Sequence, residues 1–554
     1  MKKLILSLFV LSFSFNAFAQ TKEVDQEELE KRNWFHSDFE KTGIYGVGTD
    51  SALEFLKSKK MKPTTIVVGV LDSGIQIDHE DLKNEIWVNP KEVANNNRDD
   101  DNNGYIDDTH GWDFVTDNEG NAYNKDTYEA TRVVVMYEDL FDSDDKAKNM
   151  ENMRNMPDKY QTYLRAKKEW ATKYYSAKAR LESSSNEAAK IFAFLNDLQN
   201  FAGDIKLTQE NIAKLPNNTE SDKENIDRLT FLIEANEGFH GLTLKEIITE
   251  AEKDFEGIEK RAKDDLLYAF NKDFDPTNGK LNVKGYGSNE VEGPDAFHGT
   301  HVAGLIGATR DNDLGINGVA GGHVKLMSVR MVGDGDERDE DVANAIRYAV
   351  DNGAKILNMS FGKPFSPNKE LVREAIRYAD SKGVLMFHAA GNDNKDLDWN
   401  YNYPSNYEDD SMISFAENWI TVGASTRYPE NLKASFSNFG EIKVDLFAPG
   451  TEMYSTIQNN SYRYAQGTSM ASPVAAGCAA LLWSYFPHLT SQEVKEILFE
   501  TVNVSHEIVK VGSEGEPRKF SDISATGGVI DVNKAVRLAY DRYGKKGKRS
   551  KNRR

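Results

Sequence analysis

Four short runs of this chain read as buried strands: Ile66 to Leu71, Lys325 to Val329, Ile356 to Ser360 and Val384 to Ala390. Between the later ones, Val342, Ala345, Ile346, Ala349 and Val350 recur at helical spacing, and so do Leu371, Ala375, Ile376 and Ala379. A run with no polar face must be covered on both sides, and strands that alternate with helices come to lie parallel. The expected fold class is therefore α/β, a parallel sheet with helices on both faces, assembled from residues 63–114 and 285–543.

Residues 115–284 break that rhythm. From Val115 to Tyr268 glycine is scarce, Lys and Glu are abundant, and the apolar spacing is helical throughout. Ser221-x-x-Glu224 and Thr243-x-x-Glu246 read as capping boxes that open two helices. Just after Pro157, an apolar stripe runs through Tyr160, Tyr163, Leu164 and Trp170 to Tyr174. The expectation is an all-helical insertion of packed hairpins, with this stripe as its core. The other readings of the stripe are a coiled coil or a surface for a partner.

The first residues have the pattern of an export signal rather than of a folded element. Lys2 and Lys3 precede a mostly apolar run, Leu4 to Phe15, and Ala17-Phe18-Ala19 supplies a small-x-small cleavage site. Residues 1–19 are thus expected to be removed, sending the chain to the periplasm or the medium, with residues 20–62 as an N-terminal segment. No other stretch reaches the roughly 18 apolar residues of a membrane helix. Residues 544–554 are a Lys/Arg-rich tail. A formal net charge of −21 argues against nucleic acid as a partner, because phosphate binding needs basic patches. The single cysteine, Cys478, cannot form an internal disulfide, so stability must come from packing or metals. No motif speaks to an oligomeric state.

Four segments place reactive side chains at strand ends or helix starts. Asp72 ends the run Val-Val-Gly-Val-Leu, where open α/β sheets carry active-site groups; Asp-Ser-Gly after a strand is also an ordinary turn. His298 opens His-Gly-Thr-His-Val-Ala-Gly and competes with His301 for the role of a base; the two could also be metal ligands. Ser469 stands in Gly467-Thr468-Ser469-Met470-Ala471-Ser472-Pro473, with Pro473 expected in a first helical turn. There the dipole and free N–H groups favour an oxyanion, although an isolated serine at such a place is commonly just an N-cap. Asn392 follows Ala389-Ala390-Gly391 and reads either as a turn residue or as an amide donor to an oxyanion.

Taken together the four segments resemble the subtilase family, whose order of catalytic residues is Asp, His, Ser. The resemblance covers about residues 63–112 and 285–540 and extends to Gly315, Asn317-Gly318-Val319-Ala320 and Ala448-Pro449-Gly450. It implies a serine endopeptidase acting through an acyl-enzyme. Asp72 would be the orienting carboxylate, His298 rather than His301 the general base, Ser469 the nucleophile and Asn392 the oxyanion donor. It also implies that Ser360, Phe361 and Gly362 pair with an extended polypeptide substrate and that Ala389, Ala390 and Gly391 wall the adjoining pocket. Asn402 would lie at the base of that pocket, where many relatives have Gly. Two departures stand out: Val474 where relatives commonly have His, and the long insertion between Asp72 and His298. A non-catalytic or docking protein using the same fold, with a partner on the insertion, is the alternative; a lipase or esterase would share the acyl chemistry.

A second signal is for calcium. Asp99-x-Asp101-x-Asn103-Gly104-x-x-Asp107-Asp108 spaces hard oxygen ligands at alternate positions, as in an EF-hand loop, but with His110 where the bidentate Glu would be. A further candidate, carried by the family resemblance, pairs Asp81 with Asp311, Asn312 and Asp313. No organic cofactor is expected.

Overall fold

The computed structural model describes residues 26–278 and 285–544; the expected signal segment and the tail beyond Gly544 lie outside them. The described residues form two compact units, one of residues 134–274 and the other of residues 26–133, 275–278 and 285–544.

The larger unit is built on strands β1 (Ile66–Asp72), β2 (Gly111–Asp113), β3 (Val324–Arg330), β4 (Ile356–Met359), β5 (Leu385–Ala389), β6 (Trp419–Ser425) and β7 (Leu446–Pro449). Strands β8 (Met453–Ile457) with β9 (Ser461–Ala465) and β11 (Ile508–Val511) with β12 (Glu516–Lys519) form two hairpins, while β10 (Asn503–Val504) and β13 (Gly528–Val529) extend the main sheet. Its order is β10-β13-β7-β6-β5-β4-β1-β3-β2, parallel throughout except for β10 against β13. Alternate side chains of each strand enter two separate cores, as burial on both faces requires. Val68, Val70, Leu326 and Phe387 pack with helices Phe297–Gly307 and Thr468–Tyr485. Leu71, Met327, Val329 and Met386 pack with helices Asp339–Asp351 and Lys369–Ser381. The α/β class read from the sequence is the class observed. Asp72 ends β1, Ser360 follows β4 and Ala389 ends β5, so the three come out at the carboxyl edge of adjacent strands.

Helix Thr468–Tyr485 crosses this core, and from Thr468 to Ser484 every residue but Ser469 is buried. Pro473 lies inside the helix, not in its first turn as expected. The physical reason is local: a proline denies the carbonyl four residues earlier its helical N–H, and that carbonyl is Ser469's. The Ser360 hydroxyl takes the place, donating to Ser469 O at 2.9 Å. A proline here frees an acceptor that the residue following β4 satisfies.

The smaller unit is helical, with a 46-residue helix, Pro157–Ala202, followed by Glu220–Ala235 and Leu244–Asp264. Ile191, Leu195, Leu198, Leu229, Leu232, Ile247 and Ala251 form its own core. The box at Thr243 and Glu246 forms as read. The other does not open at Ser221: Thr219 caps the helix and Asp222 reciprocates, because a Thr-x-x-Asp pair two residues earlier does the same work with the chain already turned. None of the described helices is long and apolar enough to cross a membrane.

Candidate active site

The geometry starts from Asp72 and His298. Their pairing needs helix Phe297–Gly307 to come close to the turn after β1, and Gly299 permits it: a Cβ there would meet Gly74 O at 2.1 Å. His298 Nδ1 lies 2.6 Å from Asp72 Oδ1, which also accepts from the Ser73 N–H at 2.8 Å. Asp72 is buried, so Nδ1 carries the proton toward it and Nε2 is left as the basic nitrogen. Desolvation acts to lower the His298 pKa, but the charge and hydrogen bond of Asp72, with Asp295, outweigh it and hold it above the ordinary value. The imidazole keeps 38% of its side-chain surface exposed. His301 differs in every respect. It is fully buried, its Nε2 lies 3.1 Å from both Met453 O and Arg463 O, and desolvation lowers its pKa to about 4. It ties the helix to the β8–β9 hairpin.

Ser469 is the second residue of its helix, and its Oγ donates to Ser360 O at 2.9 Å. The N–H groups around it are engaged: Thr468 N with Asn392 Oδ1, Met470 N and Ala471 N with Gly467 O. The Ser469 N–H has no protein acceptor among the described residues. Asn392 has its carboxamide turned by Thr468, whose backbone N–H and hydroxyl reach Asn392 Oδ1 at 2.9 and 3.0 Å. A backbone N–H can only donate, so that oxygen is fixed and Nδ2 is the end left to donate elsewhere.

A cleft lined by Ser360, Phe361, Gly362, Ala389, Gly391, Asn392 and Ser469 opens beside this group. A second, lined by Asp72, His298, Val332, Ser360 and Phe361, shares the Ser360–Phe361 wall. The structure thus brings the four reactive candidates and Ser360, Phe361, Gly362, Ala389 and Gly391 around one segment. The side chain of Ala390 is not among them: it lines neither cleft and is buried in the core of Phe439 and Phe447, because successive strand residues face opposite ways. Asn402 closes the first cleft: its Nδ2 donates to Ala389 O and Ala390 O at 3.1 and 3.0 Å, and a Cβ on Gly362 would come within 2.5 Å of its Oδ1. Behind the wall runs a chain the sequence reading missed, in which Ser472 donates to Asn358, Asn358 to Ser360 and Ser360 to Ser469 O. A polar Asn in an otherwise apolar strand was the signal available for it.

The acidic loop is rearranged from the expected set. Glu92, Asp99 and Asp101 gather carboxylate oxygens within 4.8 Å of one another. Asp107 instead accepts from Asn96 N and Asn97 N, and Asp108 from Asn89, Asn103 and Tyr348. Burial raises the Asp108 pKa to about 6 against those hydrogen bonds. Asn103 keeps its side-chain oxygen for Tyr105 N. Glu92 lies seven residues before Asp99, outside any repeat that the spacing would show. The trio fits a hard cation: its donors are all carboxylates, and Glu92 Oε2 is buried without a hydrogen-bond partner. In the other candidate set, Asn312 Nδ2 reaches buried Asp81 at 2.7 Å, while Asp311 and Asp313 are exposed and join no three-carboxylate group.

The family model described as "Subtilase family" matches residues 64–521. The chain is 40% identical over 206 residues to the "Thermophilic serine proteinase" of Bacillus sp. (strain AK1), covering 36% of this chain and 47% of that protein. It is 35% identical over 273 residues to the "Cell wall-associated protease" of Bacillus subtilis (strain 168), covering 47% of this chain and 28% of that one. With "Subtilisin BL" of Lederbergia lenta the identity is 35% over 231 residues, 41% of this chain and 78% of that one. The matched stretch spans less than half the length of the first two.

Proposed function

The chain belongs to the subtilase family, and from that membership we propose that it is an exported serine endopeptidase using Asp72, His298 and Ser469. The observation that carries the proposal is the 2.6 Å Asp72–His298 pair facing the same Ser360 segment to which the Ser469 hydroxyl is bonded. For reaction, Ser469 Oγ turns from Ser360 O to His298 Nε2, gives up its proton there and attacks the scissile carbonyl carbon. The carbonyl oxygen becomes an oxyanion that Asn392 Nδ2 and the Ser469 N–H stabilise. His298 then protonates the leaving amine as the C–N bond breaks. Water, deprotonated by the same imidazole, hydrolyses the acyl-enzyme and returns the proton to Ser469. Asp72 keeps Nδ1 protonated throughout, so the imidazolium is stabilised and the tautomer does not reverse. Ser360 to Gly362 would hold the substrate extended, with its side chain in the cleft that Asn402 closes.

Glu92, Asp99 and Asp101 are the residues that would hold a calcium ion; its contribution would be structural, neutralising three carboxylates and fixing the loop. Lys2-Lys3, the Leu4–Phe15 run and Ala17-Phe18-Ala19 support export.

The test compares the purified chain with its Ser469→Ala variant on an unfolded protein, with calcium and with a chelator, reading the products by mass spectrometry. Cleavage by the first and none by the second is expected, with activity lost more readily on heating in chelator. A folded, calcium-loaded wild type that leaves the substrate intact would sink the protease reading and leave binding as the function of the fold.

A further inference from the structure

Asn392 sits on an irregular segment, and a donor worth having in a transition state must be held where the charge will develop. Thr468 fixes which way its carboxamide is turned and holds one side of the backbone before it, its hydroxyl accepting from the Gly391 N–H at 3.0 Å. The backbone is fixed from the other side, by Asn438. This residue is 2% exposed and lies 46 positions further along, in Ser437-Asn438-Phe439-Gly440 between β6 and β7.

Every polar atom of Asn438 on that side is used on the segment around Asn392. Its Nδ2 donates to Ala390 O at 2.8 Å, and its backbone N–H donates to Gly391 O at 2.9 Å. Its Oδ1 accepts from Asp393 N at 3.1 Å and Lys395 N at 2.8 Å. The orientation is unambiguous, because two backbone N–H groups cannot both face an amide nitrogen. Gly391, with φ of +99°, lies so close that a Cβ on it would come within 2.5 Å of Asn438 Nδ2. Four hydrogen bonds therefore bracket Asn392, two to carbonyls before it and two to N–H groups after it, and none touches Asn392 itself.

We propose that Asn438 is the positioning residue of the oxyanion donor, holding residues 390–395 so that Asn392 Nδ2 meets the transition state. The proposal rests on the reading of Asn392 given above. It assigns Asn438 an effect realised only when the oxyanion forms, so substitution should lower kcat and leave KM nearly unchanged.

The experiment is a double-mutant cycle on a chromogenic peptide, with active sites counted by a covalent serine-directed titrant so that only folded enzyme is compared. Asn438→Leu removes all three side-chain hydrogen bonds with the same number of heavy atoms; Asn438→Ala removes them without a branched apolar group facing the segment and is the second variant should the first fail to fold. The expected loss is about ten- to hundredfold in kcat for either variant, below or equal to the roughly 10²–10³ of removing an oxyanion donor outright. In an Asn392→Ala background the same substitutions should cost less than about twofold further, since there is no donor left to misplace. Full kcat in both Asn438 variants, or an equal fold-loss in both backgrounds, would overturn the assignment and make Asn438 a merely structural residue. An inert wild type, or Asn392→Ala at undiminished kcat, would overturn the reading beneath it instead, and the assignment with it.

Discussion

The raised pKa of His298 has a direct kinetic consequence. As the proposed base it works only when neutral, and burial alone would favour the neutral form, but Asp72 and Asp295 favour the charged one and prevail. The active fraction therefore grows as pH rises through a pKa above the ordinary histidine value, and kcat/KM should fall on the acid side of it. Asp72→Asn removes the main anion, so the acid limb should move to lower pH while kcat drops by about 10⁴, the effect of losing the correct tautomer. A pH–rate profile of the two proteins checks both; an unmoved limb would mean that another group controls it. Asn402 makes a second residue-scale prediction. Its carboxamide stands between Gly362 and the Ala389 and Ala390 carbonyls at the cleft wall, so Asn402→Gly should admit larger side chains. The ratio of kcat/KM for a peptide with Phe before the cleaved bond to one with Ala there should rise about tenfold or more, the scale of one or two methylenes in a pocket.

At the scale of elements, the wall of the cleft is tied to the start of a helix by buried charge. Lys363, next after Gly362, has 1% of its side chain exposed, and its Nζ lies 2.5 Å from Glu129 Oε2 and 2.7 Å from Asp339 Oδ1. Desolvation acts against the ammonium, but Asp339, Glu129 and Glu337 keep it charged. Lys363→Met leaves buried Asp339 without its cation, while Glu129 keeps Arg132 at 2.7 Å; breaking a buried pair from one side costs about 3–5 kcal/mol. The denaturant midpoint should drop accordingly, and a change under 1 kcal/mol would show that water reaches the cluster. These contacts also show what a sequence makes legible. The strands could be read because each is covered on both faces, and the reactive residues because strand ends and helix starts have local signatures. Lys363 and Asn438 act through partners far along the chain, and Glu92 falls outside the alternating spacing of its loop, so no repeat marks either kind of pairing. Pro473 and Ser221 share a different reason: a local rule fits several neighbouring positions, and the Ser360 hydroxyl on Ser469 O accommodates the first while the Thr219–Asp222 pair displaces the second.

At the scale of the whole molecule, residues 26–58 pack as part of the larger unit. Trp34, Phe35, Val47, Ala52 and Leu56 lie in the same core as helix Thr468–Tyr485. His36 is buried with its ring nitrogens 3.0 Å from Thr49 Oγ1 and 2.7 Å from Asn317 O, and Val532 N donates to Val47 O at 2.9 Å. Burying one large apolar side chain is worth about 1.5–3 kcal/mol, so Trp34, Phe35 and Leu56 together match much of the 5–15 kcal/mol by which a typical domain is stable. Cutting the chain after residue 58 would expose that core and strand His36 and Asn317. Proteolytically active protein recovered after export should therefore retain Trp34 and Leu56, and a version starting at Pro63 should be insoluble or unfolded. Intact-mass measurement on enzyme labelled at its active serine decides the matter. A labelled chain that begins beyond residue 58 would show that the segment is dispensable once folding is complete, and its packing would then be that of a chaperone-like arm.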